Sequence, residues 1–342
     1  MTAYFIRRIL LIIPTFFGIT LITFFILQFV PGGPLEMQIM KMRMGGQGPG
    51  ESGRTTGSTQ NIPQSAIDEL KKFYGFDKPV HIQYITWVGN LVQLNLGRSY
   101  VYEEPVWDVI TSRFPVSIYF GLIGFTLTYL ICIPFGVYKA VKNGSKFDLI
   151  SSALVFIGYS IPGFAFGAMM LVLFGGGSFW DVFPLGGFRS EDWQSFSAMG
   201  KVWDQMQHTI LPVMSYMLGS FATLTILTKN TVIENLSQDY IRTAFSKGLS
   251  EKKVIFGHAL RNSLIPICTG LGHFLSLVLA GSVLIEKVFN INGMGLLGFQ
   301  SIVQRDYPVV MGILVISTLL LLIGNIISDI LYAIVDPRIR FK

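Results

Sequence analysis

The sequence predicts an all-α integral membrane protein. It should have six transmembrane helices, an extracytoplasmic region after the first, and a folded cytoplasmic element between the fourth and fifth. Three observations predict this. Hydrophobic residues make up 51% of the 342-residue chain and charged residues only 13%, about half the ~25% of a soluble domain. Six segments stay apolar over roughly the 20 residues that a helix needs to cross a ~30 Å hydrocarbon core. None alternates with the period of a barrel strand, and a span in lipid must satisfy its own backbone, so the spans are helices.

In order, the spans are 9–30, 115–141, 149–174, 209–228, 264–285 and 308–335. Arg7 and Arg8 precede the first, as in a signal peptide. Its apolar run is too long for one, however, and Pro31-Gly32-Gly33-Pro34 follows in place of a small-residue cleavage site. It reads as a retained helix. Charge sets the direction. With the N-terminus inside, the inside segments hold fourteen basic residues against five acidic, and the outside segments twelve against fourteen. The positive-inside rule then places both termini and the polar stretch 229–262 in the cytoplasm. The division by sequence is 1–30 (N-terminus and first span), 31–114 (extracytoplasmic) and 115–342 (remaining spans).

The region 31–114 is too long for a turn. Its first part, Gly45-Gly46-Gln47-Gly48-Pro49-Gly50 through Gln60, is rich in Gly, Ser and Thr and reads as a mobile loop. Ile67, Leu70, Lys71 and Tyr74 then take helical spacing, and Gly75 is placed to stop that helix. A second amphipathic piece covers 84–94. The region is a small cap over the membrane helices, a docking surface for a soluble partner, or both. A second outside loop, 175–208, carries Phe179, Trp180, Phe183, Trp193, Phe196 and Trp203, residues that favour the headgroup belt. In the third, Gly293-Met294-Gly295-Leu296-Leu297-Gly298 spells G-x-G-x-x-G. A dinucleotide site needs a preceding strand and a βαβ unit, so a tight glycine-rich re-entrant or surface turn is expected instead.

Little in the chain can support chemistry. Cys132 and Cys268 lie in apolar runs, as packing residues do. His81, His208, His258 and His273 share no ligand spacing, which argues against a metal site. There is no G-x-x-x-x-G-K-[ST] phosphate loop, and no Ser/His/Asp, Cys/His or paired-carboxylate arrangement. The net charge of +6 gathers on the inside segments and calls for no nucleic-acid partner. Within the spans the one carboxylate is Asp329, which costs ~2.5–3.5 kcal/mol to insert and should face protein or water. Asn325 and Ser328 are its helix neighbours. A helix–helix hydrogen bond and a substrate-path contact both account for it. Pro162, beside Gly163, and Pro212 can kink the third and fourth spans.

The stretch 229–262 holds the most information. Ser237 or Asp239 can cap a helix through Thr243, Ala244 and Lys247. Gly248 stops it. Ser250 caps a second helix, with Glu251 well placed at its positive end. Val254, Ile255 and Phe256 give that helix an apolar patch, and Lys252 and Lys253 a charged one. A ten-residue helix is only ~15 Å long and marginal alone in water. It must therefore pack on its own membrane domain, in a partner's groove, or on the membrane surface.

This run resembles the EAA loop of ATP-binding-cassette importer permeases, in the form found in the oligopeptide/dipeptide family. The matching residues are Asp239, Tyr240, Arg242, Thr243, Ala244, Lys247, Gly248, Leu249, Ser250, Glu251, His258, Arg261 and Asn262. Arg242 replaces the acidic first letter of the general pattern, as is usual in the peptide subfamily. The resemblance extends over nearly the whole chain. It includes Tyr74-Gly75-Phe76-Asp77-Lys78-Pro79, Leu96-Gly97-Arg98-Ser99, Ser160-Ile161-Pro162, Arg305-Asp306-Tyr307-Pro308 and Asp336-Pro337-Arg338. Lys139-Ala140-Val141, Phe183-Pro184-Leu185 and Leu227-Thr228-Lys229-Asn230 are similar to the branch that imports peptides and microcin C.

The resemblance implies a type I importer permease that is half of a pore. It further implies a homologous second permease, separate ATPase subunits (or a tandem ATPase) holding ATP and Mg, and an extracytoplasmic peptide-binding protein. It places a coupling helix over 249–258, with Val254 and His258 on it, in an ATPase groove. The bacterial inner membrane is the implied location. Dipeptide, nickel and sugar importers share this permease type. An ion-coupled transporter or channel is the competing class, and would need several intramembrane charges.

Overall fold

The computed structural model describes residues 2–30, 33, 35, 36, 39, 64–177, 179–272, 274 and 281–335. Among these there is no β-strand, only the isolated bridges Arg98 to Pro105 and Gly175 to Phe183. The expected mobile loop 45–60, most of Pro31-Gly32-Gly33-Pro34, His273 and Asp336-Pro337-Arg338 lie outside the described residues. The chain forms two compact units. One comprises Met1–Leu10, Arg113–Leu297 and Leu319–Lys342; the other comprises Leu11–Ser112 and Gly298–Thr318.

The second unit holds α1 (Thr2–Phe29) from Leu11 onward. Helix α2 (Gln64–Tyr74) ends where the sequence places its stop. Gly75 takes φ +72°, and the Phe76 N–H reaches back to the Lys71 carbonyl at 2.8 Å. Helix α3 (Val80–Val92) starts four residues before the expected 84–94, because Pro79 pre-sets its entry. It lies along α1. Thr20 Oγ1 and Tyr84 Oη are 3.1 Å apart, Gln28 Nε2 donates to Gln83 Oε1 at 3.0 Å, and Phe24, Tyr84 and Trp87 cluster their rings. The short α4 (Val106–Thr111) buries Val106 and Ile110 completely. Asp306 is also fully buried. Its carboxylate accepts the Ser99 hydroxyl and the Tyr100 N–H, the latter at 3.0 Å. The motifs 96–99 and 305–308 thus meet.

The first unit holds α5 (Phe114–Val141), α6 (Lys146–Ser160), α7 (Gly163–Phe174), α8 (Ala198–Leu236), α9 (Asp239–Ser246), α10 (Glu251–Val254), α11 (Leu260–Gly272) and α12 (Val283–Val288). Helices α13 (Met294–Val303) and α14 (Tyr307–Val335) follow. The most extensive packing is α5 on α8. Where they cross, a Cβ on Gly136 would lie 2.6 Å from Thr228 Cβ and 2.8 Å from the Thr225 carbonyl. Small residues at such crossings allow close approach where lipid gives no hydrophobic drive. Gly136→Leu should lower stability by about 1–3 kcal/mol or more through overpacking, read as a lower thermal midpoint in detergent. Gly18→Ala, with nothing within 4 Å of the added carbon, should leave the midpoint unchanged or slightly raised.

Two expected spans differ from the prediction. The segment 149–174 is α6 and α7 meeting at 94°. Pro162 lacks the N–H that would continue α6, and a residue before proline avoids helical backbone. Ile161 is accordingly extended, at φ −94° and ψ 120°. Gly163 then lets α7 approach α8, since a Cβ there would meet the Ser215 carbonyl at 2.5 Å. The segment 209–228 is the middle of the 39-residue α8, which begins on a Ser197 cap and runs through Pro212. Of 264–285, residues 273 and 275–280 lie outside the described residues. Among the described residues, four helices are therefore long and apolar enough to cross a membrane, or five if α6 and α7 count as one span.

Candidate functional site

The polar stretch 229–262 is a folded element. Residues 229–236 are the last turns of α8, and α9 follows. At its end the Gly248 N–H bonds the Phe245 carbonyl at 2.9 Å, and the Leu249 N–H bonds the Ala244 carbonyl at 3.4 Å. With Gly248 at φ +77°, this is a Schellman stop. Ser250 sits at the N-cap position of α10, although its hydroxyl makes no cap bond there, and Glu251 is in the first turn. The expected separate helix over 249–258 is not a separate body. From α10 the chain passes through a π-helical turn, Ile255–Ala259, directly into α11. No Gly or Pro follows His258 to stop it, and π turns of this kind are frequent at functional positions.

The element has its own core. Ile241, Ala244, Val254 and Ala259 are buried together against Leu236 and Leu249. Ala244 and Val254 therefore shape the element from within and present no surface. Ile255 is buried as well, against Val137, Ala140 and Val232, so the expected apolar patch reduces to Phe256. Arg242, Thr243, Lys247, Gly248, Ser250, Glu251 and His258 are exposed, and Leu249 is half-buried. Phe245 and Phe256 are exposed among them, at 46% and 54%. A hydrogen-bonded clamp closes the base: Asn262 Nδ2 donates to Tyr240 Oη (3.0 Å), Tyr240 Oη to Asn235 Oδ1 (2.8 Å), and Asn235 Nδ2 to Ser263 Oγ (3.2 Å).

A charge cluster that sequence reasoning missed lies beneath. Asp148, in the first turn of α6, receives Lys229 Nζ from α8 on both oxygens, at 2.8 and 2.7 Å. Lys139 Nζ, from the end of α5, lies 3.1 Å from Asp148 Oδ1 and also donates to Ser151 and Ser152. The Lys139 and Asp148 side chains are only 1% and 5% exposed. The three helix ends are tied through one carboxylate. Nothing in the sequence pairs these residues with one another.

Of the intramembrane candidates, Asp329 pairs with Arg8 of α1, and its side chain is 8% exposed. Asn325 is half-buried, one helical turn away. Pro162 ends α6, and Pro212 is buried within α8. None of these four residues lines the unit's cavity. The cavity lies elsewhere in the unit. It measures about 800 Å³ and is lined by α5, α7, α8, α11 and residues 281–285, including Ser117, Thr128, Gly163, Ser215, Ser220 and Ser282. Among the described residues no charged side chain lines it. Ser282 and Ile285 belong to a segment held by Glu286, which is 1% exposed and accepts N–H bonds from Ser282, Gly295 and Leu296 at 3.1, 3.2 and 2.7 Å. Burial pushes the Glu286 carboxyl, just beyond the 264–285 span, above its ordinary value; the N–H groups of Leu296, Ser282 and Gly295 oppose the shift. Of the re-entrant or surface turn expected at 293–298, burial counts against the surface alternative. Gly293, Met294 and Gly295 open α13 with no surface of their own.

A wall of hydroxyls, glycines and apolar side chains can let a solute pass. These features are those of a membrane permease. The model of the family described as binding-protein-dependent transport system inner membrane component matches residues 132–341. The chain belongs to that family and is a multi-pass inner-membrane permease component. It is 41% identical to the inner membrane ABC transporter permease protein YejB of Escherichia coli O157:H7, over the full length of both. The peptidoglycan transport system permease protein YejB of Agrobacterium fabrum is 39% identical, covering all of this chain and 99% of the relative. The oligopeptide transport system permease protein AppB of Bacillus subtilis is 37% identical, with both chains fully covered.

Proposed function

We propose that this chain is one permease subunit of an ATP-driven importer of peptides, oligopeptides or microcin C-like compounds among them. Full-length similarity to relatives named for oligopeptide, di/tripeptide and dipeptide transport supports the substrate class. The single observation that carries the mechanism is the element 239–259. It is internally packed and clamped at its base, yet it presents Arg242, Thr243, Phe245, Lys247 and Phe256 outward. A rigid lever with an exposed aromatic and basic face is suited to receive a push.

In this reading both termini are cytoplasmic and six spans cross the membrane. Residues 31–114 are extracytoplasmic, and 115–342 carry the permease core. ATP and Mg sit on separate ATPase subunits, which close on 239–258. A homologous second permease completes the pathway, and a peptide-binding protein delivers cargo from outside. Closure of the ATPases biases the cavity between two accesses. Its uncharged wall can hydrogen-bond a peptide backbone without selecting side chains, which leaves selection to the binding protein. An ion-coupled mechanism lacks support, because Asp329 is engaged by Arg8.

The test is co-expression with the neighbouring subunits. A stable complex with two ATPase copies should purify, and the chain alone should hydrolyse no ATP. Peptide transport by the lone chain, with no ATPase co-purifying, would overturn the reading.

A further inference from the structure

Glu286 has no part in the scheme above, yet the surrounding backbone is shaped to its carboxylate. Oε1 accepts the Ser282 and Gly295 N–H groups, and Oε2 accepts that of Leu296. The three nearest atoms to a Cβ on Gly293 would all belong to the Glu286 carboxyl group, at 2.7 to 2.9 Å. Gly281, at φ +62°, would likewise direct a Cβ into it, and one on Gly295 would lie 2.8 to 3.0 Å from the backbone of Ser282 and Val283. The glycines that spell G-x-G thus serve close approach to an acid of the same chain. Gly281, Ser282 and Ile285 line the cavity; Gly293, Gly295 and Leu296 lie at the start of α13. One carboxylate therefore joins a stretch of cavity wall to the following helix.

We infer that Glu286 is a positioning residue for transport: its carboxylate makes the cavity wall at 281–285 move as one body with the start of α13. The inference rests on the importer reading. A wall free to shift independently would let the cavity change shape without the helices, so ATP would be spent with less peptide moved. Glutamine is no silent replacement. Each carboxylate oxygen accepts at least one backbone N–H, so a side-chain NH2 at either position must face a donor, and a buried N–H is left without its acceptor.

The experiment uses the full complex in proteoliposomes with its binding protein and radiolabelled trialanine, beside hydrogen exchange of the purified complex. Glu286→Gln should speed amide exchange over 281–283 and 293–296 at least tenfold. It should lower peptide moved per ATP at least tenfold, with ATPase co-purification unchanged. Glu286→Asp, which keeps the acceptors, should recover part of both. Gly293→Ala should reproduce the defect and be non-additive with Glu286→Gln, since the closest atoms to the added carbon all belong to that side chain. If Glu286→Gln does not assemble, the other two variants carry the same readouts. Unchanged exchange overturns the inference, and so does faster exchange with an unchanged peptide-to-ATP ratio. A wild-type complex that hydrolyses ATP but moves no trialanine counts against the importer reading instead, and the exchange result then judges Glu286 alone.

Discussion

Asp148→Ala is expected to destabilise the protein by about 3–5 kcal/mol, the usual consequence of removing one partner from a buried ion pair. The effect should fall at the top of that range, because two lysines depend on this carboxylate. Lys229 donates to both of its oxygens, and Lys139 has a side chain only 1% exposed. Truncation leaves both cations in a site built for a net charge of one. Ser151 and Ser152 still accept from Lys139, but neutral hydroxyls cannot offset a charge. The measurement is the thermal midpoint of the detergent-purified chain. Replacing Lys139 by Met in the Asp148→Ala background should restore part of the loss, by removing the cation that has no exit to solvent. A midpoint equal to wild type in Asp148→Ala would show that the cluster is not what ties α5, α6 and α8 together.

Gly248→Trp is expected to abolish coupling while leaving the spans assembled. Two effects combine at this position. A side chain at φ +77° costs about 1–2 kcal/mol in left-handed backbone, and it strains the stop that sets the angle between α9 and α10. Nothing lies within 4 Å of an added Cβ, so the indole must project outward, onto the face proposed to meet the ATPase. Gly248→Ala carries only the backbone strain and should retain most activity. The core at Ile241, Ala244, Val254 and Ala259 is untouched by either change, which is why insertion and yield should hold.

What the sequence made legible is what local chemistry decides. The stop at Gly248, the start at Ser250 and the stop at Gly75 depend on residues a few positions apart. A possible kink at Pro162 was also readable, but the full break and its 94° angle were not, because the angle depends on how closely Gly163 packs on α8. The pairings that hold the site together were not readable. Arg8 and Asp329 lie at opposite ends of the chain, Asp148 and Lys229 are 81 residues apart in sequence, and no periodicity states which helix faces which. The π turn at Ile255–Ala259 left no signal, so α10 and α11 were expected to be separate. The glycines at 293 and 295 were noticed for their spacing, while the acid they accommodate lies outside the motif.

The most direct test of the central claim, that ATP-driven closure reaches this permease through 239–258, is peptide-dependent ATP hydrolysis by the complete complex. It should be compared between wild type and Gly248→Trp at matched assembly. The account predicts that added peptide and binding protein raise hydrolysis in wild type, and that Gly248→Trp loses at least nine-tenths of that stimulation, about 1.4 kcal/mol or more of coupling. A Gly248→Trp complex that assembles and responds to peptide as wild type does would contradict it.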